Sequence, residues 1–469
     1  MNRKKYLAKN TALFAINSIG TKLITFFLVP LYTSALTTND FGVADLVSTI
    51  AIVMVPILTL NVGEAVMRFS LDDDANLNEI MSVGILIACI SSVISLIVIP
   101  ISWNISIISG YGIIISLYCI MSGVYTINTC YLRGQERLYQ YAICNILHIF
   151  STAIFNIVFL LILKMGLSGY FLSYVLGYLV GIIYSVFTGN VVSVVTHFKW
   201  NGILAKKMIK YSILLVPTSF MWWIMNSSDR LMVTALVGVS ANGIYAVSYK
   251  IPTVLSTMST VFNQAWSYSA IREDKKEGRE EFNNRMFSIF ACVQYVITAG
   301  LLLIIKPFMH IYVSDSYYSA WEYTPYLFIG FLFMSFGTFL STSYTVNKDS
   351  RGFLFSGMIG AVLNIILNFI LIPLMGTTGA ALATCFSYFA VFVYRSIDTR
   401  KYIRIRLITA KNCISVLVLV MMSIALYWEN RIGCVILLAG FCAMIVIHFN
   451  TGIDFSKELL RIVHRGKNV

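Results

Sequence analysis

The sequence predicts an all-α integral membrane protein with about fourteen transmembrane helices. Hydrophobic residues make up 58% of the chain and charged residues only 12%, and the mean hydropathy is +0.79. Apolar runs long enough to cross a bilayer, about 20 residues each, recur from one end of the chain to the other. The basic residues gather in the short connections between these runs, which favours a bilayer over a nucleic acid as their partner.

Fourteen spans can be placed along the chain, with ends defined to within about four residues. They lie at 11–36, 43–63, 80–101, 107–130, 140–163, 168–188, 210–237, 243–266, 286–305, 321–343, 353–372, 378–394, 412–428 and 432–449. The first apolar run follows a basic start, but it is too long for the core of a signal peptide. We therefore expect it to remain as the first span.

The distribution of positive charge predicts how the chain crosses the membrane. Lys and Arg concentrate in the cytoplasmic connections of membrane proteins. With a cytoplasmic amino terminus, nearly all of the 34 Lys and Arg fall on the cytoplasmic side. The exceptions are Lys164, Lys306 and Arg431 outside, and Lys22, Arg230 and Lys250 within predicted spans. An even number of spans then places both termini in the cytoplasm.

Several short matches indicate an internal repeat. The matched pairs are Gly42 and Gly243, Pro56 and Pro252, the MGLSG segment at Met165 and the MGTTG segment at Met375, and Tyr178 and Tyr388. A repeat of six spans crosses the membrane in the same sense twice, which implies a pseudo-two-fold axis along the membrane normal and a cavity between two lobes. We therefore expect six-helix lobes at 1–200 and 201–400, followed at 401–469 by two more helices and a basic cytoplasmic tail.

Four charged residues, Lys22, Asp229, Arg230 and Lys250, fall at or near membrane depth. A charge at the centre of a bilayer costs at least about 2.5 kcal/mol, so such residues face a partner or a water-filled cavity. For Asp229 and Arg230, pairing with neighbouring helices and lining a cavity both remain open. For Lys22 and Lys250 no acidic residue is near in sequence, which favours lining a cavity.

Hydroxyl and amide side chains follow the same helical faces as these charges. Ser18 and Thr25 share a face with Lys22, Asn226 lies four residues before Arg230, and Thr253 and Thr257 continue the face of Lys250. The pattern predicts a cationic, hydroxyl-lined cleft suited to an anionic solute that carries sugar.

Signatures of catalysis do not appear in the sequence. There is no Walker loop, no His or Cys spacing typical of a metal site, and no Ser/His/Asp arrangement. We therefore assign no catalytic residue, no cofactor and no metal.

Four segments resemble bacterial oligosaccharide flippases, the O-antigen and capsular repeat-unit translocases of the multidrug/oligosaccharidyl-lipid/polysaccharide exporter superfamily. They are LTTNDFGVADL at Leu36, RGQER at Arg133, DRLMVTALVGVSANGIYAVSYKI at Asp229 and GTTGAALAT at Gly376. The resemblance implies two six-helix lobes, alternating access, and an undecaprenyl-pyrophosphate-linked oligosaccharide as cargo. It also implies a bacterial cytoplasmic membrane location and work alongside a polymerase and a chain-length regulator, for O-antigen or another surface polysaccharide.

The resemblance also implies roles for individual residues. Lys22, Arg230 and Lys250 would contact the pyrophosphate, and Asp229, the acidic member of the DR pair, is the candidate for ion coupling. Arg68 is a further candidate, although its spacing from Glu64 also predicts a local ion pair.

The sequence leaves two other functions open. A multidrug exporter of the same superfamily would favour acidic residues in its cleft, and a membrane glycosyltransferase or polymerase would need acidic residues or a sizeable outer loop. The cationic cleft and the short loops favour the flippase.

Overall fold

The computed structural model describes residues 19–72, 74–273, 277–347 and 349–466, and every regular element in these ranges is helical. The side chains of a few further residues, Asn226 among them and all of those after 453, lie outside the description. The chain forms two compact units, Met1–Ala246 and Val247–Val469.

The first unit contains eleven helices and the start of a twelfth. They are α1 (Ile19–Ala35), α2 (Thr38–Leu58), α3 (Val62–Ser70), α4 (Leu77–Ser95), α5 (Val98–Trp103), α6 (Gly112–Gly134), α7 (Leu138–Asn156), α8 (Gly166–Thr188), α9 (Val191–Thr196), α10 (Gly202–Ile213), α11 (Val216–Leu236) and α12 (Val239–Lys250). A π-helix, Ile157–Ile162, extends α7. Helix α12 crosses the boundary between the units.

The second unit begins within α12 and continues with seven further helices. They are α13 (Thr253–Glu273), α14 (Arg279–Tyr312), α15 (Thr324–Val346), α16 (Ser350–Met375), α17 (Thr377–Asp398), α18 (Ala410–Ala425) and α19 (Arg431–Gly466). Short 3-10 segments, Asp315–Glu322 and Thr399–Lys401, precede α15 and follow α17.

The helical membrane fold is confirmed, whereas the count of fourteen spans is not. Within the described ranges, ten helices are long and apolar enough to cross a membrane. Each predicted span overlaps a helix, but those predicted at 11–36, 210–237, 243–266 and 412–428 correspond to helices that are shorter or more polar than these ten. The number fourteen therefore stays a prediction.

The same three residues, Leu-Val-Pro, interrupt helices at two places in the first unit. Helix α1 is broken at Leu28, with Pro30 in the first turn of the segment that follows, and Pro217 lies in the first turn of α11, just after the end of α10. The cap residues Leu28 and Leu215 have nearly equal backbone angles, φ −80° with ψ −15° and φ −86° with ψ −19°. Because proline lacks an N–H and is best tolerated in the first turn of a helix, each of these two prolines starts a new helical segment.

A second pair of prolines marks two more breaks. Pro56 lies in the last turn of α2, after which the chain turns through Leu60 and Asn61 with φ of 49° and 53°. Pro252 lies in the short gap between α12 and α13. Both pairs of breaks are what an internal repeat predicts; the division into lobes at 1–200 and 201–400 stays a prediction.

A buried arginine connects three helices of the second unit. The sequence places Arg395 in a cytoplasmic connection, but it lies on α17 with only 6% of its surface exposed. Its Nε donates to the Ser356 hydroxyl of α16 at 2.9 Å, and its Nη1 donates to the Gly337 carbonyl of α15, also at 2.9 Å. The guanidinium also lies over the Phe353 ring. Arg395 is thus a packing residue that holds α15, α16 and α17 together.

Replacing Arg395 by alanine is expected to destabilise the protein by about 2–5 kcal/mol, because two hydrogen bonds from a charged donor are lost and buried acceptors stay unpaired. The measurement is thermal unfolding of the purified protein in detergent. Arg400→Ala, at an exposed position five residues further on, is the control and should unfold like the wild type. Equal stability of the two variants would contradict the role given to Arg395.

Candidate functional site

Helices α2 and α12 cross through a reciprocal contact between two glycines. A Cβ built on Gly42 would lie 2.0 Å from the carbonyl oxygen of Val239, and one built on Gly243 would lie 2.0 Å from that of Thr38. Thr38 precedes Gly42 by one helical turn, and Val239 precedes Gly243 by one turn, so each glycine rests on the other helix at the equivalent place. Only glycine permits this approach. The two residues that the repeat pairs in sequence therefore meet in space.

An ion pair joins α11 to α2 beside this crossing. The Nη1 atom of Arg230 lies 2.6 Å from Oδ1 of Asp45, with the side chains 18% and 7% exposed. The buried Asn242 of α12 donates from Nδ2 to Oδ2 of Asp45 at 3.4 Å and to the carbonyl of Gly42 at 3.3 Å. One carboxylate on α2 thus receives hydrogen bonds from both α11 and α12.

Asp229 turns to a different helix from its neighbour Arg230. Its Oδ2 accepts a hydrogen bond from the Tyr245 hydroxyl of α12 at 2.9 Å, and its Oδ1 accepts one from the Arg230 backbone N–H at 3.0 Å. Asp229 is 3% exposed. Of the two interpretations left open by the sequence, these contacts are those of charges paired with neighbouring helices. A role for Asp229 in ion coupling stays a prediction.

Further side-chain bonds follow the seam between α2 and α11. The Trp223 indole donates to the carbonyl of Thr49 at 2.6 Å, and near the far end of α2 Asn61 donates to the Ser219 hydroxyl at 3.4 Å. As residue numbers rise on α2 they fall on α11, so the two helices are antiparallel. The predicted topology places the Asp45 end of this seam on the outer side of the membrane.

The other candidates in the first unit are less closely grouped. Lys22 is exposed on α1, and the half-buried Thr25 donates its hydroxyl proton to the Thr21 carbonyl at 2.9 Å. Ser18 lies outside the described residues, as does the side chain of Asn226. That Lys22 and Thr25 line a cavity from one face of α1 stays a prediction.

Arg68 pairs with a different acid from the one expected. Its Nη1 lies 2.5 Å from Oδ1 of Asp72, one turn further along, rather than near Glu64. Both partners are exposed, and the hydrogen bond to Asp72 raises the pKa of Arg68 above its usual value. The predicted Glu64–Arg68 ion pair is therefore replaced by Arg68–Asp72, because the chain turns after α3 and brings Asp72 to the guanidinium.

Lys250, Thr253 and Thr257 belong to the second unit, where α12 gives way to α13. All three are half-buried. The Thr253 hydroxyl donates to the Lys250 carbonyl at 2.5 Å, and the Thr257 hydroxyl donates to the Thr253 carbonyl at 2.8 Å. The hydroxyls are therefore held by their own chain, with their oxygen lone pairs still able to accept.

The second unit also contains an apolar groove between α14 and α19, with a volume of about 400 Å³. Its walls include Ile289, Val293, Val296, Ile445 and Phe449, with His448 the polar exception among its side chains. The groove is suited to a hydrocarbon chain.

Asp45 and Asn242 are two residues of this site that the sequence did not single out. Asp45 lies within a predicted span, in a helix of mean hydropathy 2.2. The rule that singled out Asp229, an acid inside an apolar span, applies equally to Asp45. No comparable signal marks Asn242, whose position depends on the glycine crossing.

Comparison with known families agrees with this architecture. A family model described as "Polysaccharide biosynthesis protein" matches residues 35–322, and one described as "Lipid II flippase MurJ" matches residues 325–447. Among curated proteins, none matches the sequence.

Solved structures share the fold at low sequence identity. The lipid II flippase MurJ in an inward closed conformation superposes with a TM-score of 0.66 and 14% identity, covering 96% of this chain and 100% of that one. An inward-facing multidrug resistance transporter of the MATE family superposes with a TM-score of 0.65 and 11% identity, covering 82% of this chain and 94% of that one. A transporter of the MOP superfamily from Pyrococcus furiosus superposes with a TM-score of 0.59 and 12% identity, covering 84% of this chain and 95% of that one. This chain therefore shares its fold with these three proteins.

Replacing either crossing glycine by alanine is expected to destabilise the protein by about 1–3 kcal/mol, because the added methyl group must push two backbones apart. Gly42→Ala and Gly243→Ala should have similar effects, since their contacts are equivalent. Thermal unfolding of the purified variants is the measurement.

Gly20→Ala is the matched control for both variants. A Cβ built on Gly20 in α1 has nothing within 4 Å, so alanine there should not lower stability. Unfolding temperatures for Gly42→Ala and Gly243→Ala as high as that of Gly20→Ala would show that the crossing is looser than described.

Proposed function

The chain belongs to the polysaccharide biosynthesis protein family, and on that basis we propose that it translocates lipid-linked oligosaccharide repeat units across the bacterial cytoplasmic membrane. The cargo is an oligosaccharide on undecaprenyl pyrophosphate, destined for O-antigen or another surface polysaccharide. Transport proceeds by alternating access between two lobes, with both termini in the cytoplasm.

The observation that carries the proposal is the pair of family matches, which together extend over most of the chain. One names polysaccharide synthesis, and the other names a flippase for a lipid-linked cargo. The MurJ structure covers 96% of this chain, which supports a transporter in place of an enzyme. The two names together favour a cargo with both a sugar part and a lipid part.

The charged residues supply the chemistry for such a cargo. Pyrophosphate is best bound by Lys and Arg, through charge-assisted hydrogen bonds. Lys22, Arg230 and Lys250 would bind the pyrophosphate. Arg68 would be a further contact on the cytoplasmic side, where it is paired with Asp72 in this structure. The hydroxyls of Ser18, Thr25, Thr253 and Thr257 and the amide of Asn226 would receive sugar hydroxyls. The apolar groove between α14 and α19 offers room for part of the lipid chain.

Export of small drugs is the second candidate, because the fold is also that of a multidrug resistance transporter. A cationic drug would be repelled by Lys22 and Lys250. Within the first unit, Asp45 and Asp229 already accept hydrogen bonds from protein donors. The charges therefore favour an anionic cargo, and unchanged drug sensitivity on deletion of the gene would exclude the exporter.

Lys22→Ala, Arg230→Ala and Lys250→Ala are each expected to lower the amount of surface glycan roughly tenfold or more, since a hydrogen bond to a charged group is worth about 1.5–3 kcal/mol. The measurement is surface glycan in a deletion strain complemented with each variant, alongside the amount of protein in the membrane.

Lys207→Ala is the matched control. Lys207 is exposed on α10, outside the ten long apolar helices, so its replacement should leave surface glycan unchanged. Wild-type glycan from all three cavity variants, at normal protein levels, would refute these residues as the phosphate site.

A further inference from the structure

Asp45 holds Arg230 in the way that a phosphate would hold it. A guanidinium offers planar donors that fit carboxylates and phosphates alike. In this structure Nη1 of Arg230 donates to the carboxylate of Asp45 at 2.6 Å. Cargo phosphate that takes this nitrogen must therefore displace the carboxylate.

The Asp45 carboxylate lies in an anion-binding site formed by donors from two other helices. Asn242, fully buried, donates a second hydrogen bond to the same carboxylate at 3.4 Å. That amide is itself positioned by the glycine crossing, because it also donates to the carbonyl of Gly42 at 3.3 Å. In this anion-binding site, α11 and α12 supply the donors and α2 supplies the anion.

The exchange of anions is coupled to helix position. Asp45 is 7% exposed, and a buried carboxylate that loses its cationic partner is strongly disfavoured. Once phosphate takes Arg230, Asp45 must move to water or find another donor. Because Asp45 lies on α2 and Arg230 on α11, this movement separates the two helices at the end where α2 begins and α11 ends.

We propose that Asp45 is a built-in substitute for the cargo's phosphate. In the empty transporter it holds Arg230 and keeps α2 against α11. Arriving phosphate displaces it, and the displacement releases α2 from α11 on the predicted outer side. The inference rests on the proposed function and adds a competing residue to its phosphate site.

A purely structural ion pair leads to a different expectation. In that case Asp45 contributes to stability alone, and its removal leaves binding unchanged or weaker. In the exchange, its removal takes away the carboxylate that competes with phosphate for Nη1 of Arg230. If Arg230 is released in about a tenth of wild-type molecules, removing the competitor raises the apparent affinity roughly tenfold.

The test measures binding of farnesyl pyrophosphate, a soluble polyprenyl pyrophosphate, to the purified full-length protein. Asp45→Asn keeps the shape of the side chain and removes its charge, so it should bind the probe roughly tenfold more tightly than the wild type. Arg230→Ala should lose binding. Asp398→Asn is the matched control, since it removes a carboxylate from an ion pair with Lys401 in the second unit and should leave probe affinity unchanged.

The outcomes separate the two proposals. Loss of binding in Arg230→Ala with no gain in Asp45→Asn overturns the exchange and leaves the phosphate site standing. Wild-type binding in Arg230→Ala refutes the phosphate site itself.

A distance measurement tests the exchange without altering Asp45. Spin labels on Asn39→Cys and Leu236→Cys, both exposed at the ends of α2 and α11, report their separation in a background without the native cysteines. Adding farnesyl pyrophosphate should lengthen that distance. An unchanged distance at saturating probe overturns the proposed release of α2.

Discussion

The ion pair between Arg230 and Asp45 is the contact on which the first unit's functional region depends. A lone charge at membrane depth is costly, and pairing lowers that cost when further hydrogen bonds complete the coordination. Here Asn242, on a third helix, donates a further hydrogen bond to the Asp45 carboxylate. The pair therefore determines where α11 can lie against α2, and it determines the electrostatic state of the arginine that the proposed function needs.

The glycine crossing makes this coordination possible. Asn242 and Gly243 are adjacent on α12, so the close approach of Gly243 to the backbone of α2 brings the Asn242 amide within reach of Asp45. A larger residue at either crossing position would move the amide away. The two glycines thus permit both the close packing of α2 against α12 and the hydrogen bond from Asn242 to Asp45. Small residues commonly have this role where helices pack in membranes.

Proposed cargo binding and the observed ion pair draw on the same donor. Arg230 is 18% exposed, so it is neither sealed in a core nor free in water. A transporter needs a site that binds its cargo and also lets it go, and a resident carboxylate that competes for the cationic group would serve both needs. In the second unit, by contrast, Arg395 bonds to a hydroxyl and a carbonyl and is 6% exposed, which is the environment of a packing residue.

The sequence by itself determined the helical membrane fold, most span positions, the family and the pairing of Gly42 with Gly243, because apolar length, charge asymmetry and local motifs are encoded over short stretches of chain. It also identified Asp229 and Arg230 as charges that need partners. Only the tertiary structure decided which partners they have, since Arg230 and Asp45 lie on helices far apart in sequence. It likewise decided that Arg68 pairs with Asp72 and that Arg395 is buried. Those outcomes depend on how the chain turns after a helix and on which helices pack together, and hydropathy contains neither.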